Sequence, residues 1–213
     1  MENYAITIAR SYGSDGCGIA ERLAERLGIR CLDKELLSLV SMESGVSEEL
    51  LEKADEKVSR SFWENWSERK YDLEFDQLDH SDRVSEYNLF RYQAKVLRNL
   101  AQKESFVVVG RAADHILKHH RYVFSVNIQA PFEDCVEAII KRKFVDAKTA
   151  VKDIRTINKE REAFYRAYTG QNWNDPLNYD LCINSAKFKR EDCVELILKA
   201  AELKFKFNLS RSE

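Results

Sequence analysis

Apolar and polar positions alternate between two patterns along the chain. Short, mostly apolar runs of a few residues are typical of buried strands, and longer stretches with apolar positions three and four apart are typical of helices. The short runs are Tyr4–Ile8, Ile29–Leu32, Phe106–Gly110, Tyr122–Ile128 and Tyr179–Asn184. Strands that alternate with helices predict an α/β fold, with a parallel five-stranded sheet covered by helices on both faces.

The segment between the second and third predicted strands is far longer than a crossover needs. It shows helical patterns and no good strand candidate, so we expect a helical insertion at about residues 41–103 of a single domain spanning residues 1–213. Within it, aromatic residues mix with acids over residues 59–82. This stretch packs the insertion, contacts a second subunit or stacks a base, and the sequence leaves that choice open.

Composition narrows the classes of partner. The 213 residues carry 34 Lys and Arg against 36 Asp and Glu, so a net charge of −2 gives no general attraction to nucleic acid or to an anionic membrane. No apolar run approaches the ~20 residues of a membrane helix, and the N-terminus has no signal-peptide pattern. Five scattered cysteines without a CxxC pair are typical of a reducing compartment. We therefore expect a cytoplasmic protein, with a homodimer as an open option.

A glycine-rich loop follows the first predicted strand. Residues 13–18 hold three of the seven glycines, and apolar residues at helical spacing then continue to Gly28, which is suited to end a helix. Strand, glycine loop and helix are the layout of a phosphate-binding turn. The predicted phosphate-binding residues are Gly13, Ser14, Asp15, Gly16, Cys17 and Gly18. The alternative is a plain tight turn without a ligand.

Two charged residues stand at the ends of other strands, where open parallel sheets bind their ligands. Arg111 follows Phe106–Gly110, and Asp33 follows Ile29–Leu32. Both are candidates for binding a ligand at that edge of the sheet. The alternatives are a surface ion pair of Arg111 with Asp114 and a helix N-cap at Asp33.

Several stretches together resemble the cytidylate kinase-like family of P-loop phosphotransferases. They are ITIARSYGSDGCGIAERLAERLGI, VVVGRAADHIL, VNIQAPFEDCVEAIIKR and INKEREAFYRAYTGQNWNDPLNYDLCINS. The resemblance covers most of the chain, whereas residues 41–95 carry little recognisable pattern. It implies a five-stranded P-loop core, a helical insertion near the acceptor and an arginine-bearing lid, here about residues 145–178.

The resemblance also implies a reaction. It implies transfer of the γ-phosphoryl group of ATP, with Mg²⁺, to a nucleoside monophosphate (CMP- or dCMP-like) or a similar small acceptor. Arg111 matches the Gly-Arg that contacts the acceptor's phosphate in cytidylate kinases. Asp33 matches the aspartate that begins their Asp-Thr-Gly stretch, from which Lys34 and Glu35 depart, and this match implies a role of Asp33 in binding the acceptor. Lys159 and Arg161 match basic residues of the lid, which stabilise charge on the transferring phosphoryl group.

The chain departs from this pattern in its loop. A working P-loop has a lysine that reaches the phosphates and a Ser or Thr hydroxyl that holds Mg²⁺. In the cytidylate kinase register Gly16 and Gly18 stand at those positions, and a second possible register places Ile19 and Ala20 there. Neither register recovers the missing groups.

Arg10 is the candidate to replace the lysine, because it comes directly after the first predicted strand and a guanidinium can hold two phosphate oxygens. The candidates to replace the hydroxyl that holds Mg²⁺ are Ser14, Asp15 and Asp33. The sequence does not assign a metal site to any of them. A further departure is Cys135, where the family pattern usually has an arginine. A nucleotide-binding regulatory module without catalysis is therefore the alternative function, and an interaction protein built on the insertion is a third.

Overall fold

The computed structural model describes residues 2–33, 35–45, 47, 49 and 86–209. Strands and helices alternate along them. The strands are β1 (Ala5–Arg10), β2 (Arg30–Leu32), β3 (Phe106–Val109), β4 (Val123–Gln129) and β5 (Leu181–Asn184). The helices are α1 (Gly16–Leu27), α2 (Glu35–Ser44), α3 (Glu86–Lys103), α4 (Ala113–Ile116), α5 (Phe132–Lys143), α6 (Ala147–Thr169) and α7 (Arg190–Phe205), with 3-10 turns at Pro176–Asn178 and Ser185–Lys187.

The five strands form one sheet in the order β2-β3-β1-β4-β5, and every pair is parallel. β1 lies at the centre, where Ala5 aligns with Phe106 of β3 and with Val123 of β4. The predicted fold class is therefore confirmed. Because all strands run in one direction, their carboxyl ends meet at one edge, and the residues after β1, β2 and β3 lie there together.

The alternation of side chains along β1 divides the core into two layers. Ile6 and Ile8 pack with residues of α1 and α7. Ala5 and Ala9, on the other face, pack with residues of α2 and α3. Thr7 shares this second face and is a polar interruption of an apolar strand.

Helix α6 lies within the predicted lid at about residues 145–178. It begins after Asp146, whose carboxylate accepts a hydrogen bond from the Thr149 amide at 2.8 Å, and it ends at Gly170 with φ of 70°. Tyr168 stacks on Phe90 of α3 with ring centroids 4.0 Å apart. This contact fixes α6 over the carboxyl edge of the sheet.

The structure differs from the sequence prediction at several boundaries. β1 extends to Arg10, so this arginine belongs to the strand, and β5 begins at Leu181. α3 falls inside the predicted insertion but packs into the main core through Leu89, Phe90 and Leu97. Residues 51–85, with the aromatic and acidic stretch 59–82, lie outside the described residues. Within the described residues, no helix combines the length and the apolar character that spanning a membrane requires.

Candidate functional site

A cleft of about 240 Å³ opens at the carboxyl ends of β1 and β3, beneath α6. Charged and aromatic side chains dominate its lining. The lining residues are Thr7, Ile8, Ala9, Arg10, Asp33, Gly110, Arg111, Ala112, Asp114, Ile157, Glu160, Arg161, Phe164, Tyr165 and Trp173. We call this space the arginine cleft, after Arg10, Arg111 and Arg161.

The backbone after β3 is strained where it borders the cleft. Gly110, Arg111 and Ala112 have φ values of 74°, 59° and 51°. The left-handed region is unfavourable for residues with a Cβ, by about 1–2 kcal/mol each. Two such non-glycine residues in succession place Arg111 at the cleft, and backbone strain of this kind concentrates at functional sites.

Two arginines of the cleft, Arg10 and Arg161, are close enough to repel each other. The Arg161 guanidinium donates a hydrogen bond to the Arg10 carbonyl oxygen at 3.0 Å. Burial, and then the charge of Arg10, lower the pKa of Arg161 from 12.5 to about 10. A bound anion would relieve both effects, because it would replace lost hydration and offset the repulsion.

Arg10 takes the space that a P-loop lysine would need. A Cβ added to Gly16 would clash with the Arg10 Cβ, and one added to Gly110 would clash with the Arg10 Nη1. The Arg10 side chain therefore runs from the loop toward the end of β3. Its Nε is buried and has no hydrogen-bond partner among the described residues. An unpaired buried donor on a cation is suited to an anionic ligand.

An ion pair takes the space beside Gly18, the position of the missing hydroxyl. Arg190 binds both carboxylate oxygens of Asp15, at 2.7 and 2.9 Å. A Cβ on Gly18 would lie 2.6 Å from Asp15 Oδ1 and 2.8 Å from Arg190 Nη2. In the cytidylate kinase register, the positions of the missing lysine and hydroxyl are therefore both next to space that another side chain occupies, Arg10 at Gly16 and the Asp15–Arg190 pair at Gly18.

Hydrogen bonds join the loop to several other parts of the chain. The buried Ser14 hydroxyl lies 2.9 Å from the Ser11 carbonyl oxygen and 3.0 Å from the Ile128 carbonyl oxygen, so its hydrogen bonds are made to the backbone. The Ser185 hydroxyl donates to the Ser14 carbonyl at 2.7 Å. The Tyr12 amide donates to Asn158 Oδ1 of α6 at 2.7 Å.

The predicted phosphate-binding residues form the turn and the first residues of α1, whose opening amides have no partner within the helix. Gly13 has φ of 95° and packs against Cys135, since a Cβ there would lie 2.8 Å from the Cys135 Cβ. Cys135 is buried, so the position of the family arginine is filled by a small side chain. None of the residues from Gly13 to Gly18 lines the arginine cleft, which borders the loop through Arg10.

The two lid residues point in different directions. Positions two apart on an α-helix are about 200° apart around its axis, so Lys159 and Arg161 cannot both face one cleft. Arg161 lines the arginine cleft, whereas Lys159 is exposed and absent from its lining. Asp33 does line the cleft, as the strand-end argument predicted.

Sequence reasoning missed two polar residues of the cleft lining, Asp114 and Thr7. The Tyr165 hydroxyl donates to Asp114 Oδ2 at 2.6 Å, and burial raises the pKa of Asp114. Thr7 is 3% exposed, and its Oγ1 has no partner among the described residues. The single polar residue within an apolar strand was the available signal for Thr7. From the sequence, Asp114 is a candidate only for an ion pair with Arg111.

The described residues contain no group of three or more His, Cys, Asp or Glu side chains able to hold a metal ion. Mg²⁺ in phosphoryl-transfer sites commonly relies on one or two carboxylates together with substrate phosphates. Asp33 is suited to that role, since it lines the cleft with three arginines. Ser14 and Asp15 fit less well, because their oxygens already bind the backbone and Arg190.

Comparisons with known proteins agree with this fold. The sequence profile of the cytidylate kinase-like family matches residues 5–187. A cytidylate kinase of Methanothermobacter thermautotrophicus is 24% identical over 187 residues, which are 87% of this chain and 98% of that protein. The crystal structure of an uncharacterized protein from Eubacterium ventriosum has a TM-score of 0.68 and 25% identity, covering 94% of this chain and 99% of the other. A shikimate kinase from Acinetobacter baumannii, in complex with shikimate, has a TM-score of 0.48 and 15% identity, covering 92% of each chain.

Proposed function

Because the chain belongs to the cytidylate kinase-like family, we propose that it transfers the γ-phosphoryl group of ATP to a nucleoside monophosphate or a similar small phosphorylated acceptor. The observation that carries the proposal is the arginine cleft itself. Three guanidinium groups share one cleft, one of them has an unpaired buried Nε, and another has a pKa lowered to about 10 by burial and by its neighbour. The unpaired Nε of Arg10 and the buried guanidinium of Arg161 beside it are costly unless an anion binds there.

The proposed roles follow from position. Arg111, at the end of β3, holds the phosphate of the acceptor. Arg10 and Arg161 lie between the loop and the acceptor and neutralise charge on the group in transfer. The loop amides at the start of α1 hold the remaining phosphates of ATP. Catalysis then consists of positioning and charge stabilisation of an in-line displacement, with no covalent intermediate on the protein.

The proposal includes Mg²⁺, with Asp33 as the residue that would hold it. When bound, the ion would offset charge on the phosphate oxygens. Asp33 would hold it from the end of β2, opposite the arginines. The five cysteines are all free thiols, which agrees with the cytoplasmic location we propose for this reaction.

A second function has specific support. The loop lacks the lysine and the hydroxyl, and Arg10 and the Asp15–Arg190 pair fill their space. A chain that had lost catalysis and kept nucleotide binding would look the same in this region. It would be a nucleotide-binding regulatory module on the kinase fold.

One assay separates the two functions. The purified protein is incubated with Mg-ATP and each of the ribo- and deoxyribonucleoside monophosphates, and diphosphate products are quantified. The kinase proposal expects turnover that Arg10→Ala abolishes and Arg22→Ala preserves, since Arg22 is an exposed residue of α1 paired with Glu25 and Glu191. ATP binding by calorimetry without turnover on any acceptor supports the regulatory module instead. Absence of both would reject both functions.

A further inference from the structure

A carboxylate lies within the loop whose amides are proposed to hold the phosphates of ATP. Asp15 directly precedes α1 in the left-handed region, with φ of 61°. An aspartate at this position usually stabilises a helix by accepting a hydrogen bond from one of its first amides, but the Asp15 side chain makes no such bond. The first hydrogen bond of α1 joins the Ile19 amide to the Asp15 carbonyl oxygen at 2.9 Å. The three earlier amides, of Gly16, Cys17 and Gly18, therefore have no partner within the helix.

Arg190 binds this carboxylate from the start of α7. Its Nε and Nη2 lie 2.7 and 2.9 Å from the two Asp15 oxygens. The carboxylate is thereby held beside Gly18, where an added Cβ would lie 2.6 Å from Oδ1, without accepting an amide of the helix. Arg190 is the first residue of α7, and a positive charge at a helix N-terminus is unfavourable. Neither capping of α1 nor the dipole of α7 therefore explains the contact.

A second ion pair between the same two helices provides a comparison. Arg26 lies 2.6 Å from Glu195, about three turns farther along α1 than the loop. The two pairs are alike in exposure, since all four side chains are between 44% and 52% exposed. Exposed pairs of this kind contribute little to stability. The Asp15–Arg190 pair differs from the other in its position, because it lies next to the amides that begin α1.

We infer that Arg190 is a positioning residue for ATP, which holds the Asp15 carboxylate off the loop amides and neutralises its charge. An unpaired carboxylate at the start of α1 would be attracted to those amides and would repel the phosphates that bind there. Arg190 thus acts through Asp15 and not by contact with the nucleotide. The inference rests on the proposed function, because it takes the phosphates of ATP as the ligand of the loop amides.

The test is a cycle of variants at the two residues, with Mg-ATP binding measured by calorimetry and folding verified by thermal melts. Arg190→Ala leaves the carboxylate unpaired, so the Kd of ATP is expected to rise about tenfold. Asp15→Gly removes the carboxylate and suits the positive φ, so the Kd should stay within about twofold of wild type or fall. The double variant should return to within about threefold of wild type, although it also lacks the ion pair. Arg26→Ala is the matched control, with an unchanged Kd.

The double variant distinguishes the possible roles of Arg190. If Arg190 contacts the nucleotide itself, or only joins α1 to α7, removal of Asp15 cannot restore binding. A double variant as weak as Arg190→Ala would therefore overturn the inference. Equal Kd values for Arg190→Ala and wild type would overturn it too, and so would a wild type that does not bind ATP.

Kinetics separate the inference from the proposed function. ATP binding that Arg190→Ala weakens and Asp15→Gly restores, in a protein without phosphoryl transfer, supports the inference and rejects the kinase activity. Where transfer occurs, Arg190→Ala should raise the KM of ATP about tenfold and leave the KM of the acceptor within about twofold of wild type. Phosphoryl transfer with an unchanged KM of ATP in Arg190→Ala would keep the kinase and overturn the inference.

Discussion

The glycine loop and the arginine cleft meet at Arg10, and they are built in opposite ways. In the loop, Ser14, Asp15 and the Tyr12 amide are each satisfied by other parts of the protein, and the space beside Gly16 and Gly18 is filled. In the cleft, a donor of Arg10 and the hydroxyl of Thr7 are buried without partners.

This difference indicates which of the two regions stabilises the fold and which binds the ligand. A region whose polar groups are paired contributes stability, whereas a region with unpaired buried groups sacrifices stability for binding. The side chains of the loop thus hold its backbone in place, so that its amides are available to phosphates, and the cleft supplies the charges for the ligand. The predictions that follow would break or sharpen this contrast, and they run from the largest expected effect to the smallest.

Arg10→Ala removes the guanidinium that the two regions share. We expect kcat to fall by about 10³ or more, in the range reported for arginines that stabilise a transferring phosphoryl group. Steady-state kinetics with the best acceptor measure the loss. Arg22→Ala is the control, and a kcat within twofold of wild type for Arg10→Ala would show that Arg10 has no part in the reaction.

Arg111→Ala is expected to weaken binding of the acceptor and not of ATP. Losing a hydrogen bond to a charged group costs about 2 kcal/mol, so the KM of the acceptor is expected to rise about 30-fold while the KM of ATP changes little. Arg121→Ala, a change at an exposed arginine whose guanidinium lies over the Tyr122 ring, is the control. Equal increases in both KM values would contradict the assignment of Arg111 to the acceptor.

Gly16→Ala tests whether Arg10 truly occupies the lysine's space. The added methyl group is expected to lower the free energy of unfolding by about 1–3 kcal/mol through overpacking. In an Arg10→Gly background the same change should cost much less. Urea denaturation of the four proteins gives the coupling free energy directly. Additive effects would mean that the two residues do not compete for space.

Arg161→Met relieves the repulsion between Arg161 and Arg10. We expect Tm to rise by about 2–4 °C, which corresponds to about 1 kcal/mol for a protein of this size. Pyrophosphate should stabilise wild type, because it binds the folded state, and should stabilise the variant much less. The measurement is a thermal melt with and without pyrophosphate. A variant that melts lower and still responds fully would contradict the electrostatic account of the cleft.

Asp114→Asn has the smallest expected effect, and it depends on pH. Burial raises the pKa of this carboxyl above its ordinary value of 3.8, so the folded protein holds the proton more tightly than the unfolded chain. The ionised form is therefore penalised, and the penalty grows as pH rises from about 4 through the raised pKa. Urea denaturation at about pH 3 and about pH 8 should show Asp114→Asn gaining stability relative to wild type at the higher pH. A difference that is the same at both pH values would contradict a raised pKa.

Sequence patterns predicted the fold well because burial and backbone geometry determine it locally. The five apolar runs became the five strands within two residues at most ends, and Gly28 ended α1 with φ of 64° as its position predicted. Four candidates named from the sequence, Arg10, Asp33, Arg111 and Arg161, line one cleft, and their roles in binding and catalysis stay predictions.

Other features of the site depend on contacts between distant residues. The pairing of Asp15 with Arg190 spans 175 positions, and no local pattern indicates it. The hydrogen bond between Asp114 and Tyr165 likewise joins α4 to α6. Lys159 was grouped with Arg161 by family resemblance, although helix geometry places them on different faces.

The account depends most on Arg10 acting in place of the missing loop lysine, and an exchange of the two residues tests that directly. Activity of the double variant Arg10→Gly/Gly16→Lys is compared with each single variant, with thermal melts to verify folding of all three. We expect each single variant to lose nearly all phosphoryl transfer and the double variant to recover a substantial part of it. A folded double variant as inactive as Arg10→Gly alone would contradict the account.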